Sequence, residues 1–376
     1  MSSITLQSID SIDLKLEQTE DSTALRAVNS VDPKLEQLEN VSNLIRHELR
    51  TPLTSIQGVL KLLQHENSNY SAEDADRLIK IAILAADRLT RLADALEGES
   101  GILQSMVSMQ EMENLQLEND LLDGLKNQEF SLYFQPIFSV EENRIVGFEA
   151  LARWQHSVKG LVPPDAFIAI AEASGFIHDL GLYLFQQACQ TLHEWQRRFD
   201  THSPLTMSIN VSSIQLTDPQ FSEKVEAILS HHEIHPNTLI LEVTESELID
   251  SLEDALETIH NLKALGIDFY LDDFGTGYSS LSRLQDLPFD AIKIDRSFVV
   301  QHNWTISKAI LLLAENLQVN VIAEGIETNE QFQCLKNLGC TKMQGYYFSR
   351  PVNVEKAFQL LSNQSKVSSS CKQPSK

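Results

Sequence analysis

In the segment IDFYLDDF, Ile267–Phe274, an apolar, β-rich run ends in the consecutive carboxylates Asp272 and Asp273. This pattern recurs from Phe130 onward, where short β-rich runs alternate with helical segments. The strand candidates are SLYFQPI, RIVGFEAL, LTMSINV, TLILEVT, IDFYLDD, AIKID, VNVIAEG and KMQGYYF. Eight strands with helical crossovers predict an α/β chain with a (β/α)₈ TIM-like barrel rather than an open sheet.

Charged or amide side chains stand at the C-terminal ends of the predicted strands. They are Glu149, Asn210, Glu242, Asp272, Asp273, Lys293, Asp295, Glu324 and Gln344. In such a barrel these strand ends open onto one face, so the carboxylates would gather in one mouth and raise one another's pKa values. Divalent cations relieve that repulsion, and carboxylate and amide oxygens without His or Cys suit Mg²⁺ or Mn²⁺. The paired aspartates suggest two ions, the arrangement used for in-line displacement at phosphorus.

The part of the chain before the barrel is predicted to be helical. Apolar residues step by three or four along two helices that the polar turn HENSNYS, His65–Ser71, separates. Two helices alone bury too little surface, so we expect this α-helical hairpin to dimerise as a four-helix bundle. The predicted boundaries are 1–33 for a disordered segment, 34–98 for the hairpin, 99–118 for a helical connector, 119–363 for the barrel and 364–376 for a disordered tail.

The composition limits the partners and the compartment. Hydrophobic residues make up 42% of the 376 residues, which is enough to bury a core. A formal charge of −24 makes the chain a poor ligand for a nucleic-acid polymer or an anionic membrane. The sequence shows no apolar run of transmembrane length and no secretory signal, and its four cysteines form no CxxC pair. We therefore expect a cytoplasmic protein.

Several short segments follow one another at the spacing of the predicted strands. They are FQPI (Phe134–Ile137), EALARW (Glu149–Trp154), SINVS (Ser208–Ser212), LEVTES (Leu241–Ser246), LDDFGTGYSSL (Leu271–Leu281), IKIDRSFV (Ile292–Val299), IAEGIET (Ile322–Thr328) and QGYYFSRP (Gln344–Pro351). Together they resemble the EAL-domain phosphodiesterases of bacterial cyclic di-GMP signalling. EAL alone is a weak signal, but this many motifs in order are specific. The resemblance implies the EAL fold and hydrolysis of cyclic di-GMP to linear 5′-pGpG.

The resemblance also implies roles for individual residues. The first-metal ligands would be Glu149, Asn210, Glu242 and Asp272. Asp272 would bridge to a second Mg²⁺ or Mn²⁺ ion, whose other ligands would be Asp273 and Glu324. The implied catalytic residues are Lys293 beside the attacking water, its companion Asp295, and Glu245, which would brace the loop Asp273–Ser279. The implied substrate contacts are Gln135, Leu151, Arg153, Glu327 and Gln344.

The hairpin contains the segment HELRTPL, His47–Leu53, which resembles the phosphoacceptor helix (HisKA) of sensor histidine kinases. The nucleotide-binding boxes of such kinases are not recognisable in the sequence, so we do not expect self-phosphorylation. The favoured interpretation is a hairpin that makes the chain a homodimer. The alternative is that His47 accepts a phosphoryl group from a separate histidine kinase or response regulator and thereby shifts the phosphodiesterase activity.

Two alternatives to an active enzyme follow from the same residues. The barrel could be a catalytically silent receptor for cyclic di-GMP, or the chain could be a two-component adaptor that acts through His47. The sequence favours the enzyme, because no expected metal ligand is missing.

Overall fold

The structure is a computed structural model, and it describes residues 102–199, 204–244, 252–276 and 287–370, together with scattered positions between residues 52 and 90. The chain divides into two compact units, residues 1–99 and residues 100–376. The second unit contains the sheet.

Nine strands of the described residues form one sheet, and eight of them close into a barrel. The strands are β1 (Phe130–Ser139), β2 (Arg144–His156), β3 (Gly160–Val162), β4 (Thr206–Asn210), β5 (Leu239–Thr244), β6 (Asp268–Phe274), β7 (Ala291–Ile294), β8 (Asn320–Ala323) and β9 (Lys342–Gln344). Around the barrel the order is β1-β9-β8-β7-β6-β5-β4-β2, and β2 pairs with β1 to close it. Strand β3 pairs with β2 outside the ring. The predicted barrel and its eight strands are confirmed.

Helices connect most of the strands and cover the outside of the barrel. They are α1 (Ile102–Lys126), α2 (Pro164–Ala173), α3 (Ile177–Arg198), α4 (Ser213–Leu216), α5 (Phe221–His231), α6 (Leu252–Leu265), α7 (Arg296–Val300), α8 (Trp304–Leu317), α9 (Asn329–Asn337) and α10 (Val354–Ser370). Helix α3 shows why such segments are helical. Its buried residues Leu184, Ala188, Leu192 and Trp195 recur every three or four positions and form one apolar stripe, and the helix packs against β1 and β4.

The first strand runs against the others. Strand β1 is antiparallel to both of its neighbours, β2 and β9, whereas the remaining pairs of the ring are parallel. The sequence pattern predicted a helical crossover after every strand. Only residues 140–143 separate β1 from β2, with Asn143 at φ 49°. That is a hairpin turn and is too short for the crossover that two parallel strands need. As a result, Gln135 of β1 faces Glu149 of β2 in register.

The helices at the two ends of the second unit cross the domain boundaries that the sequence suggested. Helix α1 is continuous through residue 118, and its residues Leu115, Leu117 and Leu121 are buried. Helix α10 continues to Ser370, past residue 364 where a disordered tail was expected. At residue 364 the helix is held to β2, because the Gln364 side chain accepts a hydrogen bond from the Ile145 N–H (2.6 Å) and donates one to the Ile145 carbonyl (3.1 Å).

The described positions of the first unit, which lie within 52–60 and 79–90, are all helical. Val59 and Ala85 are buried there, whereas Leu53, Leu60, Ile79 and Ile83 are 45–54% exposed. Across the described part of the chain, no helix combines the length and the apolar content that crossing a bilayer requires.

Candidate active site

The interior of the barrel changes from apolar to polar toward the C-terminal ends of its strands. A buried apolar cluster is formed by Ile240, Tyr270, Ala291 and Ile322. Side chains on one face of a strand recur every second residue. The residues two positions further along are Glu242, Asp272, Lys293 and Glu324. Strand periodicity therefore places these four side chains in one layer, directly beyond the apolar cluster.

Five carboxylates converge in this layer and form two overlapping groups. Carboxylate oxygens of Glu149, Glu242 and Asp272 lie within 4.8 Å of one another, as do those of Asp272, Asp273 and Glu324. Asp272 belongs to both groups. A side-chain amide joins them, because Asn210 Nδ2 donates to Glu149 Oε1 at 3.0 Å. The structure thus brings together all six residues that the resemblance implied as metal ligands.

Backbone geometry explains how two consecutive aspartates share one site. Neighbouring side chains of a regular strand point to opposite faces. In β6 the register with β7 shifts between Leu271 and Phe274, and Asp273 has a positive φ of 52°. The Asp273 N–H also donates to Asp272 Oδ1 at 2.9 Å. This irregularity lets both aspartates reach Glu324.

Lys293 is the cation at the centre of the carboxylates. Its side chain is 1% exposed, and Nζ lies 2.7 Å from Glu324 Oε1, 2.8 Å from Glu242 Oε2, 3.1 Å from Asp272 Oδ2 and 3.7 Å from Glu149 Oε2. Burial alone would lower the lysine pKa, but these four carboxylates outweigh it and hold the Lys293 pKa well above its usual value. The ammonium group is therefore firmly charged.

One ammonium does not neutralise five carboxylates. Burial and the neighbouring Asp272 raise the pKa of Glu324 to about 8, even though Lys293 acts in the opposite direction. Burial and the charges of Glu149 and Asp272 raise the pKa of Glu242 well above its usual value. Burial, Asp272 and Asp295 raise the pKa of Asp273 to about 6. The pKa of Glu149 is the exception: burial raises it, but Lys293 and hydrogen bonds with Gln344 and Asn210 lower it below its usual value. The expectation that these groups disfavour one another's charge thus holds for Glu242, Asp273 and Glu324.

The donor set fits a hard divalent cation. Oε1 of the fully buried Glu242 has no hydrogen-bond partner among the described residues. A buried polar atom without a partner is costly, so it indicates a binding function for that oxygen. The available atoms are carboxylate and amide oxygens, which Mg²⁺ and Mn²⁺ prefer.

Two cavities adjoin the carboxylates, and Leu151 lines both of them. The first has a volume of about 340 Å³ and is lined by Arg153, Asn210, Glu242, Asp272 and Asp273, with apolar walls from α2 and α3. The second has a volume of about 220 Å³ and is lined by Gln135, Glu149, Arg296, Glu324, Glu327, Gln344 and Tyr346. The implied substrate contacts are thus divided between two compartments that share the carboxylate centre.

Arg296 and Tyr346 form part of the wall of the second cavity, and Arg350 lies beside the Tyr346 ring. Arg296 donates to Glu327 Oε1 at 2.8 Å, and its guanidinium lies 5.7 Å from the centre of the Tyr346 ring. Arg350 lies 4.2 Å from the same ring centre. A cationic and aromatic wall beside an anionic centre can contact both the phosphates and the bases of a nucleotide.

Gln344 and Asp295 are held by specific partners. Gln344 Nε2 donates to Gln135 Oε1 at 3.1 Å and to Glu149 Oε2, so it joins β9 to the β1–β2 hairpin. Asp295 is the N-cap of α7 and accepts hydrogen bonds from the Ser297 N–H (3.0 Å) and from the Ser297 hydroxyl. Its carboxylate also lies close enough to Asp273 to raise the pKa of that residue.

Comparison with known proteins agrees with this geometry. Residues 118–351 match the family model of the EAL domain. The chain belongs to the EAL-domain family. Residues 37–98, before the EAL domain, match the His Kinase A (phospho-acceptor) domain.

Three relatives of this EAL protein illustrate the similarity. An uncharacterised signalling protein of Caulobacter vibrioides is 40% identical over 65% of this chain and 30% of its own length. The cyclic di-GMP phosphodiesterase NbdA of Pseudomonas aeruginosa is 36% identical over 64% of this chain and 31% of its own length. The solved PaMucR phosphodiesterase–c-di-GMP complex is 34% identical with a TM-score of 0.61, covering 64% of this chain and 99% of that structure. The chain thus spans about a third of the length of the curated relatives it matches.

Some residues around the second cavity were not predicted from the sequence. Arg296 and Tyr346, which line it, and Arg350, beside the Tyr346 ring, were not among the candidates, although Arg296 directly follows Asp295 in the IKIDRSFV segment. Glu245 and His47 lie outside the described residues, as does the end of the loop that Glu245 was expected to brace.

Proposed function

We propose that the chain hydrolyses cyclic di-GMP to linear 5′-pGpG. The observation that carries this proposal is that five carboxylates lie close together in two overlapping groups. One of these groups includes the fully buried Glu242, whose Oε1 has no hydrogen-bond partner among the described residues. A carboxylate cluster of this kind suits metal-assisted attack of water on phosphorus. In the overall reaction water adds to one phosphodiester, its P–O3′ bond breaks, and the 3′ oxygen takes up a proton.

Six residues would hold two cations, Mg²⁺ or Mn²⁺. In this proposal Glu149, Asn210, Glu242 and Asp272 bind the first ion. Asp272, Asp273 and Glu324 would hold the second ion, so Asp272 would belong to both ligand sets. When bound, such ions supply Lewis-acid polarisation of the phosphodiester and lower the pKa of nearby water.

Lys293 would be one of the catalytic residues. Nζ would lie beside the attacking water, within reach of the carboxylates Glu242, Asp272 and Glu324. Its carboxylate partners fix the position of Nζ. Asp295, which lies close to Asp273, and Glu245 complete the proposed catalytic set.

The presence of two cavities beside one carboxylate centre suits a substrate that has two similar halves, such as cyclic di-GMP. In the proposed complex the scissile phosphate lies at the carboxylate centre and each nucleoside enters one cavity, with Leu151 between them. Arg153 contacts a phosphate oxygen from the first cavity. Gln135, Glu327 and Gln344 contact the substrate from the second.

The direct test is turnover by the purified full-length chain. Cyclic di-GMP is incubated with protein and Mg²⁺ or Mn²⁺, and pGpG is separated by chromatography, with Glu149→Ala as the control. We expect metal-dependent pGpG from the wild type and none from the variant. Tight binding of cyclic di-GMP without product would contradict the proposal and indicate a receptor.

We further propose that the chain is a homodimer through its N-terminal hairpin. The match of residues 37–98 to the HisKA domain supports this, and so do the exposed apolar residues Leu53, Leu60, Ile79 and Ile83. Apolar side chains left exposed on an isolated hairpin are buried when two hairpins form a four-helix bundle.

The same family match supports a second function, phosphotransfer to His47 from a histidine kinase or response regulator. Radiolabelled phosphate from a candidate kinase should then appear on the wild type and not on His47→Ala, while both proteins cleave cyclic di-GMP equally when no kinase is added. We also propose a cytoplasmic location. The described cysteines, Cys189, Cys334 and Cys340, are free, as is usual in a reducing compartment.

A further inference from the structure

The side chain of Gln331 joins the two backbone segments that carry the Glu327–Arg296 ion pair. Gln331 lies in the first turn of α9 and is 4% exposed. Its Oε1 accepts hydrogen bonds from the N–H groups of Glu327 (2.8 Å) and Thr328 (3.0 Å). Its Nε2 donates to the carbonyl of Val299 at 3.4 Å. Val299 belongs to α7, whose first residue is Arg296. One buried amide therefore holds both partners of the ion pair.

The orientation of this amide is fixed at both ends. The Thr328 hydroxyl accepts from the Gln331 N–H at 3.2 Å, which completes a capping box at the start of α9. Two backbone donors face one end of the amide and a carbonyl acceptor faces the other, so reversing the amide would break all three contacts.

The Glu327–Arg296 ion pair lies at a close contact between two backbone segments, so a small displacement of either segment would move the Arg296 side chain. The loop before Glu327 passes directly over α7: a Cβ built on Gly325 would lie 2.3 Å from Arg296 Cγ. The Arg296 guanidinium also contacts the Tyr346 ring in the wall of the second cavity. The separation of the loop and α7, which Gln331 sets, therefore determines where the guanidinium lies.

The carboxylate centre is held by other contacts. The Glu324 N–H donates to the Ile294 carbonyl at 3.1 Å, and the Ile326 N–H donates to the Gln344 carbonyl at 3.1 Å. The Ile326 carbonyl accepts from the Tyr347 N–H at 2.9 Å. Loss of the Gln331 side chain would release Glu327 and α7 while these bonds still fix Glu324.

We propose that Gln331 is a positioning residue for substrate recognition in the second cavity. It places Glu327 and, through α7, the Arg296 guanidinium, which contacts cyclic di-GMP there. This inference rests on the proposed function. Substrate affinity should therefore depend on Gln331, whereas metal binding should not.

The first test needs no substrate. Amide hydrogen exchange is measured by mass spectrometry on the full-length chain as wild type and as Gln331→Ala. We expect faster exchange in residues 296–300 and 327–328 and unchanged exchange in β5 and β6. Gln333→Ala is the exposed control in the same helix. Gln215→Ala removes another buried capping-box glutamine, also 4% exposed, at the start of α4. Neither control should change exchange in the two segments.

The second test measures recognition. In Gln331→Ala we expect the Kd for cyclic di-GMP, measured with Ca²⁺, and the KM, measured with Mn²⁺, to rise about three- to tenfold, the range that loss of a hydrogen bond produces. The kcat and the Mn²⁺ concentration for half-maximal activity should stay unchanged. In the Arg296→Ala background, Gln331→Ala should raise the Kd by a smaller factor than in the wild type, because the part of its effect that acts through Arg296 is already lost.

The outcomes separate the two proposals. Unchanged exchange in the two segments, a rise in exchange spread over the whole chain, or additive effects on Kd would overturn the role of Gln331. If the wild type neither binds nor cleaves cyclic di-GMP, the proposed function fails, while the exchange experiment still decides whether Gln331 holds the two segments.

Discussion

At the scale of single residues, the site contains more negative than positive charge around Lys293. Four carboxylate oxygens lie 2.7–3.7 Å from its Nζ, and the side chain is 1% exposed. Buried charges are tolerated only when they are paired, so each partner stabilises the other against the loss of hydration. The lysine therefore keeps the site folded without metal, and cations add to a framework that already exists.

Removing the ammonium should destabilise the metal-free protein more than the metal-loaded one. In EDTA, we expect Lys293→Met to lower the free energy of unfolding by about 3–5 kcal/mol, because it leaves buried carboxylates unpaired. Added Mn²⁺ should recover part of this loss, since it supplies positive charge in the same place. Urea unfolding with and without Mn²⁺ measures both effects, and the exposed Lys308→Met is the control. Equal stability of Lys293→Met and wild type in EDTA would contradict this role.

The raised carboxyl pKa values predict how the stability of the metal-free protein depends on pH. Glu324 titrates at about 8 and Asp273 at about 6 in the folded chain, both above their ordinary values of 4.5 and 3.8. Between the ordinary and the raised pKa the folded state binds more protons than the unfolded state, so stability is lost as pH rises. In EDTA, the Tm should fall from about pH 5 to pH 8. This slope should be shallower in Glu324→Gln; an identical slope would refute the assignment to Glu324.

At the scale of elements, close backbone approaches fix the strand ends. Gly345 follows Gln344 and packs on Ile326: a Cβ at Gly345 would lie 2.2 Å from the Ile326 oxygen and 2.3 Å from its nitrogen. Because the colliding atoms are backbone, no rotamer change can relieve the clash. Ile326 also hydrogen-bonds to Gln344 and Tyr347, so the clash would separate β9 from the loop after β8.

Gly345→Ala should therefore destabilise the fold and disturb the site together. We expect a loss of about 3 kcal/mol in the free energy of unfolding and a fall in turnover, since Gln344 and Glu324 flank the contact. Gly339→Ala is the matched control, because Gly339 also has a positive φ, of 95°, but its Cβ would meet nothing within 4 Å. That control should cost only about 1 kcal/mol of backbone strain. Similar losses in the two variants would mean that the contact with Ile326 does not matter.

The elements also show which features can be predicted from sequence. A polar residue that ends an apolar strand is a local signal, so Glu242, Asp272 and Glu324 could be predicted to share one face. The reversed direction of β1 follows from the short turn before Arg144. This direction was not predicted, because a helical crossover was assumed after every strand. Gln331 was not found. Its capping box with Thr328 is visible in TNEQ, but the contact with Val299 spans 32 residues and exists only in the fold.

At the scale of the whole molecule, the described residues of the two units differ in the core that they form. The second unit buries most of its large apolar residues in a continuous core, although some, such as Leu312, stay exposed. In the first unit, however, four of the described leucine and isoleucine residues are about half exposed. The chain carries a formal charge of −24, which opposes association. Apolar surface on the hairpin must outweigh that repulsion if the protein is a dimer.

A charge placed on the hairpin should therefore dissociate the dimer. Leu60 and Ile83 are 52% and 54% exposed in the single chain, and in a four-helix bundle they would face the partner hairpin. Leu60→Asp and Ile83→Asp should each raise the dimer dissociation constant at least about a hundredfold, because a carboxylate buried in an apolar interface loses its hydration. Sedimentation velocity over a range of protein concentrations measures this change. Leu312→Asp, at a 50% exposed leucine of α8, is the control for charge alone. If only Leu312→Asp dissociated the dimer, the interface would lie on the barrel, and the hairpin would have another partner.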